Sequence, residues 1–253
     1  MVTRLEGRSE ASCARALAAG MQDASFEDMA AAALVLSIVP PAAAAAVVEE
    51  LAPLFAMPSP PPLCDANACN PQTKRRLAAR VAELGGQMVD GAIIGPPPSD
   101  TADPRLYLSG EGAEEIAALT KFGIDARVLK GPLGAAAALK MCYGAINKGV
   151  VGLAAAMMLA AERAGASDAL REEMAAHMPD LFKRYQRQVP DMLPKAYRWV
   201  AEMREIAGFL ADDPSAAAIY EGLAGVFEQI AGDVAGEGKR AAILIRAVVA
   251  DQG

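Results

Sequence analysis

GPLGAAAALKMCYGAINKG, residues 131–149, is where the sequence changes character. Ahead of it, apolar runs of strand length alternate with helical segments. From it to about Gln229 no strand pattern occurs. Its glycines and alanine run allow close backbone packing, yet Lys140 and Lys148 sit in a segment that is otherwise almost wholly apolar. Two ammonium groups on such a helix call for a purpose.

Working towards the N-terminus, QMVDGAIIG (87–95) and LCDANACNP (63–71) read as strands, the second with a polar end at Asp65 and Asn67. LVLSIVPP (34–41) is a continuous apolar run of the kind found in strands buried on both faces, and its diproline ends it. Helices are expected between them at 42–54 and 72–84. At the front, VTRL (2–5) and GRS (7–9) lead into a helix from Glu10 to Ala19, and Phe26 to Ala32 is a second. This alternation predicts parallel strands joined by right-handed crossovers, an α/β Rossmann-like doubly wound sheet over residues 1–130. Ligands of such a sheet bind at the strand C-termini. Those ends hold Gly7, Arg8 and Ser9, then Ser37, Pro40 and Pro41, then Asp65 and Asn67, and then Asp90, Gly91 and Gly95.

Towards the C-terminus, helices are predicted over 135–164, 168–178, 181–188, 193–210 and 214–230, an all-α domain spanning 131–253. The run AAILIRAVVA (241–250) has the composition of a last helix but no predicted place.

Composition narrows the function. The 253 residues carry a net charge of −7, with lysines and arginines scattered among acids, so no basic surface is offered to nucleic acid. Four cysteines, none in a CxxC pair, and a single histidine make neither a zinc site nor a disulfide framework; no metal is expected. The N-terminus is charged from its fourth residue and lacks the apolar stretch of a signal peptide, which points to the cytoplasm. The run 149–161 falls short of the roughly 20 residues that span a bilayer and reads as a core helix, so no membrane partner is expected.

Five ordered blocks, DANACNP (65–71), VDGAIIGPP (89–97), LYLSG (106–110), ALKMCYGAINKG (138–149) and KAYRWVAEMREIA (195–207), resemble the β-hydroxyacid dehydrogenase family. Within it they are most similar to the 6-phosphogluconate dehydrogenase-like, NAD(P)-binding branch with a helical C-terminal domain. The resemblance implies that Lys140 is a general acid/base during hydride transfer. An amine suits that work when burial or a neighbouring cation lowers its pKa. Relatives place an asparagine four residues later, where this chain has Gly144. Asn147 falls near the Lys140 face about 10 to 12 Å further along the helix and could replace it, with Tyr143 a second substrate contact. The plain alternative is a lysine whose stem is buried and whose amine reaches solvent.

The family's substrate loop is matched by Asp90, Gly91 and Gly95. Ile94 stands where relatives have serine, and prolines follow, so a less polar and stiffer pocket is expected. Lys195 matches the lysine that reaches the site from the helical domain, with Ala196 in place of its usual acidic neighbour. For the cofactor, Arg8 and Ser9 match the arginine and hydroxyl that accept a 2′-phosphate, which implies NADP, with NAD still possible; the plain alternative is a serine N-cap beside an exposed arginine. Ser37, Pro40 and Asn67 fall at positions that line the nicotinamide side. A small hydroxy acid substrate and a homodimer formed through the helical domain complete the expectation.

The family's first strand and GxGxxG phosphate loop should lie roughly 30 residues before Arg8, and no such motif occurs in the sequence. The expectation is therefore conditional. An N-terminally truncated form of the chain implies an NADP-dependent dehydrogenase. The alternative is a non-catalytic binding or assembly remnant of that family.

Overall fold

The structure, a computed structural model, describes residues 1–96, 98–99 and 103–249. Pro97 of the expected proline turn lies outside them. Two compact units divide the chain, residues 1–140 and 141–253.

The first unit runs β1 (Val2–Thr3), α1 (Glu10–Ala18), β2 (Gln22–Asp23), α2 (Phe26–Ala30), β3 (Val35–Ser37), α3 (Ala44–Glu50), α4 (Ala52–Phe55), β4 (Leu63–Asp65), α5 (Pro71–Glu83), β5 (Met88–Ile94), β6 (Arg105–Ser109), α6 (Ala113–Ile116) and β7 (Asp125–Val128). Expected as one sheet, the strands form two. β1 and β2 pair in parallel by themselves, and a five-stranded sheet has the order β3-β4-β5-β6-β7. Among the described residues β1 and β3 each keep one edge without a strand partner.

A second difference is direction. β5 and β6 are antiparallel, whereas the other pairs are parallel. The connection from Ile94 to Arg105 is too short for a parallel crossover, which takes a dozen or more residues. Gly95 starts that return with φ of 134°, and a Cβ there would lie 3.0 Å from Pro104 Cα. The turn alone accounts for a glycine at this position.

Alternation along the strands sorts the core. Leu63 and Met88 pack with Val48, Leu54, Phe55, Leu77 and Val81, while their neighbours Cys64 and Val89 pack with Leu106, Leu108 and Ile116. The helix α5 is started by Asn70, whose side chain accepts the Thr73 amide at 2.8 Å, with Pro71 in the first turn.

The helix α7 (Ala135–Arg163) contributes residues 135–140 to the first unit and the remainder to the second. The division between the compact units falls inside this helix, whose first turn is bonded to the sheet, as described below. In the second unit follow α8 (Ser167–His177), α9 (Pro179–Met192), α10 (Ala196–Phe209), α11 (Pro214–Ala235) and α12 (Lys239–Val248). Their core holds Met158, Val189, Met192, Met203, Phe227, Ile230 and Leu244. Gly152 is a close-approach point, since a Cβ there would meet Leu223 Cδ2 at 2.8 Å and Phe227 Cζ at 2.9 Å. Trp199 meets Phe227 edge-on at 5.2 Å. The unplaced tail is α12, which buries Leu244 and Val248 in this core and is tied at its start by the Ala241 amide, which donates to Asp233 at 3.0 Å.

Candidate active site

Four polar residues stand in one row across the sheet. Ser37 pairs with Asp65, Asp65 with Asp90, and Asp90 with Ser109, so all four side chains share a face. All are buried, Asp90 and Ser109 completely. Lys74 descends from α5 onto this row, itself fully buried. Its ammonium donates to the Asp65 carboxylate and carbonyl and to the Gly91 carbonyl, the last at 3.2 Å, and lies 3.3 Å from Asp90 Oδ1. Two carboxylates thus share one ammonium away from solvent. Each would be costly to bury alone.

The row is tied to α7. Ser109 Oγ donates to Asp90 Oδ2 at 3.0 Å and accepts the Ala136 amide at 3.0 Å. Asp90 Oδ2 also accepts the Ala137 amide at 3.0 Å. The free amides of a helix's first turn need acceptors, and a carboxylate there also complements the helix dipole. The cap is therefore supplied by two strands, and Lys140 follows Ala136 by one turn on the same face. Lys140 is half-buried. Asp90 is enclosed by Lys74, Ser109 and Ala137, which places it behind the helix instead of at an open surface. Gly91 is packed as tightly: a Cβ would stand 2.8 Å from Cys64 Sγ. Burial, the largest influence, pushes the Cys64 thiol up to about 12.

At the β3 and β4 ends, Asn67 is fully engaged. Its Nδ2 donates to Ser37 Oγ at 3.0 Å and to Asp65 Oδ2 at 2.7 Å, and its Oδ1 accepts the Val39 amide at 2.6 Å. It fixes the 37–39 backbone, and Pro40, exposed, continues that loop. Arg8 and Ser9 are exposed after β1. Ser9 is the N-cap of α1, accepting the Ser12 amide at 3.3 Å, so the plain N-cap bond is made. Gly7, at φ 71°, shapes the turn ahead of them.

In the helical unit, Asn147 Oδ1 accepts from Arg184 Nη2 at 2.7 Å. Tyr143 is exposed, and Gly144 leaves the surface between them open: the nearest atom to a Cβ there is Lys148 Nζ at 3.9 Å. Lys148 pairs with Glu202 and lies 5.8 Å from the Trp199 ring centre. Lys195 pairs with Asp191 at 2.6 Å, its own helical neighbour.

Lys74, Ser109 and Arg184 were not singled out by sequence reasoning. For Lys74 a signal exists: it precedes Leu77 and Val81 by three and seven residues, which sets it on the apolar stripe of α5 despite the basic run with Arg75 and Arg76.

Residues 161–230 match the family described as a domain of unknown function, DUF1932. No curated protein matches the chain. Among solved structures, a conserved hypothetical protein from Sinorhizobium meliloti 1021 is 24% identical, with 97% of this chain and 87% of that one covered and a TM-score of 0.78. MTH1747, a conserved protein of unknown function with structural similarity to 3-hydroxyacid dehydrogenases, is 28% identical over 90% of this chain and 89% of its own, with a TM-score of 0.73. The 3-hydroxyisobutyrate dehydrogenase of Mycobacterium tuberculosis, solved with L-serine, is 18% identical over 95% and 89%, with a TM-score of 0.62. Residues 161–230 thus match the DUF1932 model, and the chain has the fold of the 3-hydroxyacid dehydrogenases that its sequence blocks resemble.

Proposed function

We propose that the protein is an NAD(P)-dependent oxidoreductase of the β-hydroxyacid type in which Lys140 exchanges a proton with the substrate hydroxyl. The observation that carries this reading is the cap on α7. A fully buried carboxylate and hydroxyl from two strands hold the first turn of the helix, and general acid/base work requires a side chain held in hydrogen-bond reach of its proton. The cofactor, when bound, supplies the hydride acceptor or donor. Arg8 would hold a 2′-phosphate, which favours NADP over NAD, and Asn67 with Ser37 would shape the loop on the nicotinamide side. Asp90 and Gly91 act from behind, by setting the helix and the backbone. Gly95, Tyr143, Asn147 and Lys195 are the proposed contacts to a small hydroxy acid.

The proposal extends to assembly in the cytoplasm as a homodimer through the helical unit. Tyr143, Ile146, Leu153 and Met157 are exposed along α7, and with Val150 they recur at the three- and four-residue spacing of a helix-pairing seam. By length and hydropathy α7 could also cross a membrane, with 39% of its most apolar window buried. Its bonds from Asn147 to Arg184 and from Lys148 to Glu202 favour the reading as a packed helix.

The test is reduction of NADP and of NAD in the presence of 3-hydroxyisobutyrate, 3-hydroxypropionate and L-serine, followed by absorbance of the reduced nicotinamide. Turnover with a preference for NADP that Arg8→Ala abolishes supports the reading. Absence of both turnover and nucleotide binding returns the chain to the non-catalytic alternative.

A further inference from the structure

Arg184 on α9 is half-buried, and its guanidinium is held by two neutral amides. Its Nε donates to Gln188 Oε1 at 2.7 Å, and its Nη2 donates to Asn147 Oδ1 at 2.7 Å and, at 3.5 Å, to the Asn147 carbonyl. Among the described residues it has no carboxylate ion-pair partner. Other cations of the helical unit, Lys148, Lys195, Arg204 and Arg246, are each paired with an acid.

A guanidinium has five N–H donors in a planar fork, and these bonds engage Nε and Nη2, the latter towards two acceptors. Both Nη1 hydrogens remain. Because Asn147 turns its carbonyl oxygen to Arg184, its Nδ2 group is directed the other way and makes no bond within the described residues. Two amides therefore fix the plane of a partly desolvated cation and leave it without a counter-ion. Fixing the guanidinium in advance removes the ordering cost that a flexible arginine would pay on binding, and its free Nη1 can give a carboxylate a charge-assisted hydrogen bond.

We infer that Arg184, with Asn147 beside it, is a binding site for the carboxylate of a small organic acid. This rests on the proposed function for the identity of that acid, and assigns its carboxylate to a helical-domain arginine that no sequence block points to. Asn147 then acts as a positioning and carboxylate-binding residue. The open surface at Gly144, where the nearest atom to an added Cβ is Lys148 Nζ at 3.9 Å, leaves room beside Asn147.

The probe is 3-hydroxypropionate, with neutral 1,3-propanediol as control, each titrated against the full chain by saturation-transfer NMR. Arg184→Gln should weaken 3-hydroxypropionate binding by about tenfold or more and Arg184→Lys by less, since lysine keeps the charge without the fork, while neither alters the response to the diol. Thermal unfolding checks that both variants are folded; if the glutamine variant is not, the lysine variant decides. Equal affinity in wild type and variant, or no saturable binding to wild type up to about 50 mM, overturns the assignment. Failure here with turnover that still depends on Lys140 removes only the carboxylate site. Loss of affinity in Arg184→Gln without turnover in any variant keeps the site and removes the dehydrogenase reading.

Discussion

The carboxylate of Asp90, in the middle of the sheet, accepts the amide of Ala137, in the first turn of α7, at 3.0 Å. A strand thereby caps a helix 47 residues further along the chain. The same carboxylate faces Lys74, which also holds Asp65 and the Gly91 carbonyl, so the start of α7, two strand ends and α5 form one bonded unit. The position of Lys140 follows from that unit.

Lys74→Met should be the costliest conservative change in the first unit. It leaves two buried carboxylates facing each other with no cation, and removal of one partner from a buried ionic group costs about 3–5 kcal/mol. Urea denaturation should show a lowered midpoint with an unchanged slope. A variant as stable as wild type would mean that the row carries no ionic stabilisation.

Two glycines of α7 should respond oppositely to alanine. At Gly144 the added methyl meets nothing closer than the mobile end of Lys148, so the helix should gain about 1 kcal/mol. At Gly152 it would stand 2.9 Å from a fully buried phenylalanine, and overpacking there should cost about 1–3 kcal/mol. Parallel thermal melts compare the two.

Cys64 predicts an alkaline weakness. Its thiol stays protonated in the fold up to about 12, against an ordinary value of 9.0, because burial disfavours the thiolate. The unfolded chain loses this proton near 9, so the contribution is complete below that pH and declines as pH rises towards 12, by roughly 1.4 kcal/mol per unit. Cys64→Ala should flatten the loss of stability between pH 9 and 11 in urea titrations. The exposed thiol of Cys142 should alkylate in the native state while Cys64 does not.

The apolar seam of α7 predicts assembly. Leu153→Glu and Met157→Glu each place a charge on an exposed part of the seam, so folding should be retained while light scattering reports a halved mass. A wild-type monomer would remove the homodimer.

The second half of the fold was legible because its helices are long and their apolar residues recur at helical spacing; α7, α8 and α11 begin where the sequence places them, to within a residue. Sheet direction was not. Nothing in RLYLS differs between a parallel and an antiparallel strand, and the short connection from Ile94 decides it. Asp90 stood out in the sequence, but its enclosure depends on Lys74 and Ser109, which the sheet and α5 bring to it. Lys74 was hidden by the arginines after it. Arg184 was hidden by distance, since its partner Asn147 lies 37 residues earlier and on another helix.

Lys140 carries the central claim, and the most direct measurement compares Lys140→Ala with wild type in single-turnover reduction of NADP by the best of the tested hydroxy acids. The proposed acid/base role predicts a rate lowered by about 10²–10⁴-fold with nucleotide affinity unchanged. A variant that transfers hydride at the wild-type rate would contradict it.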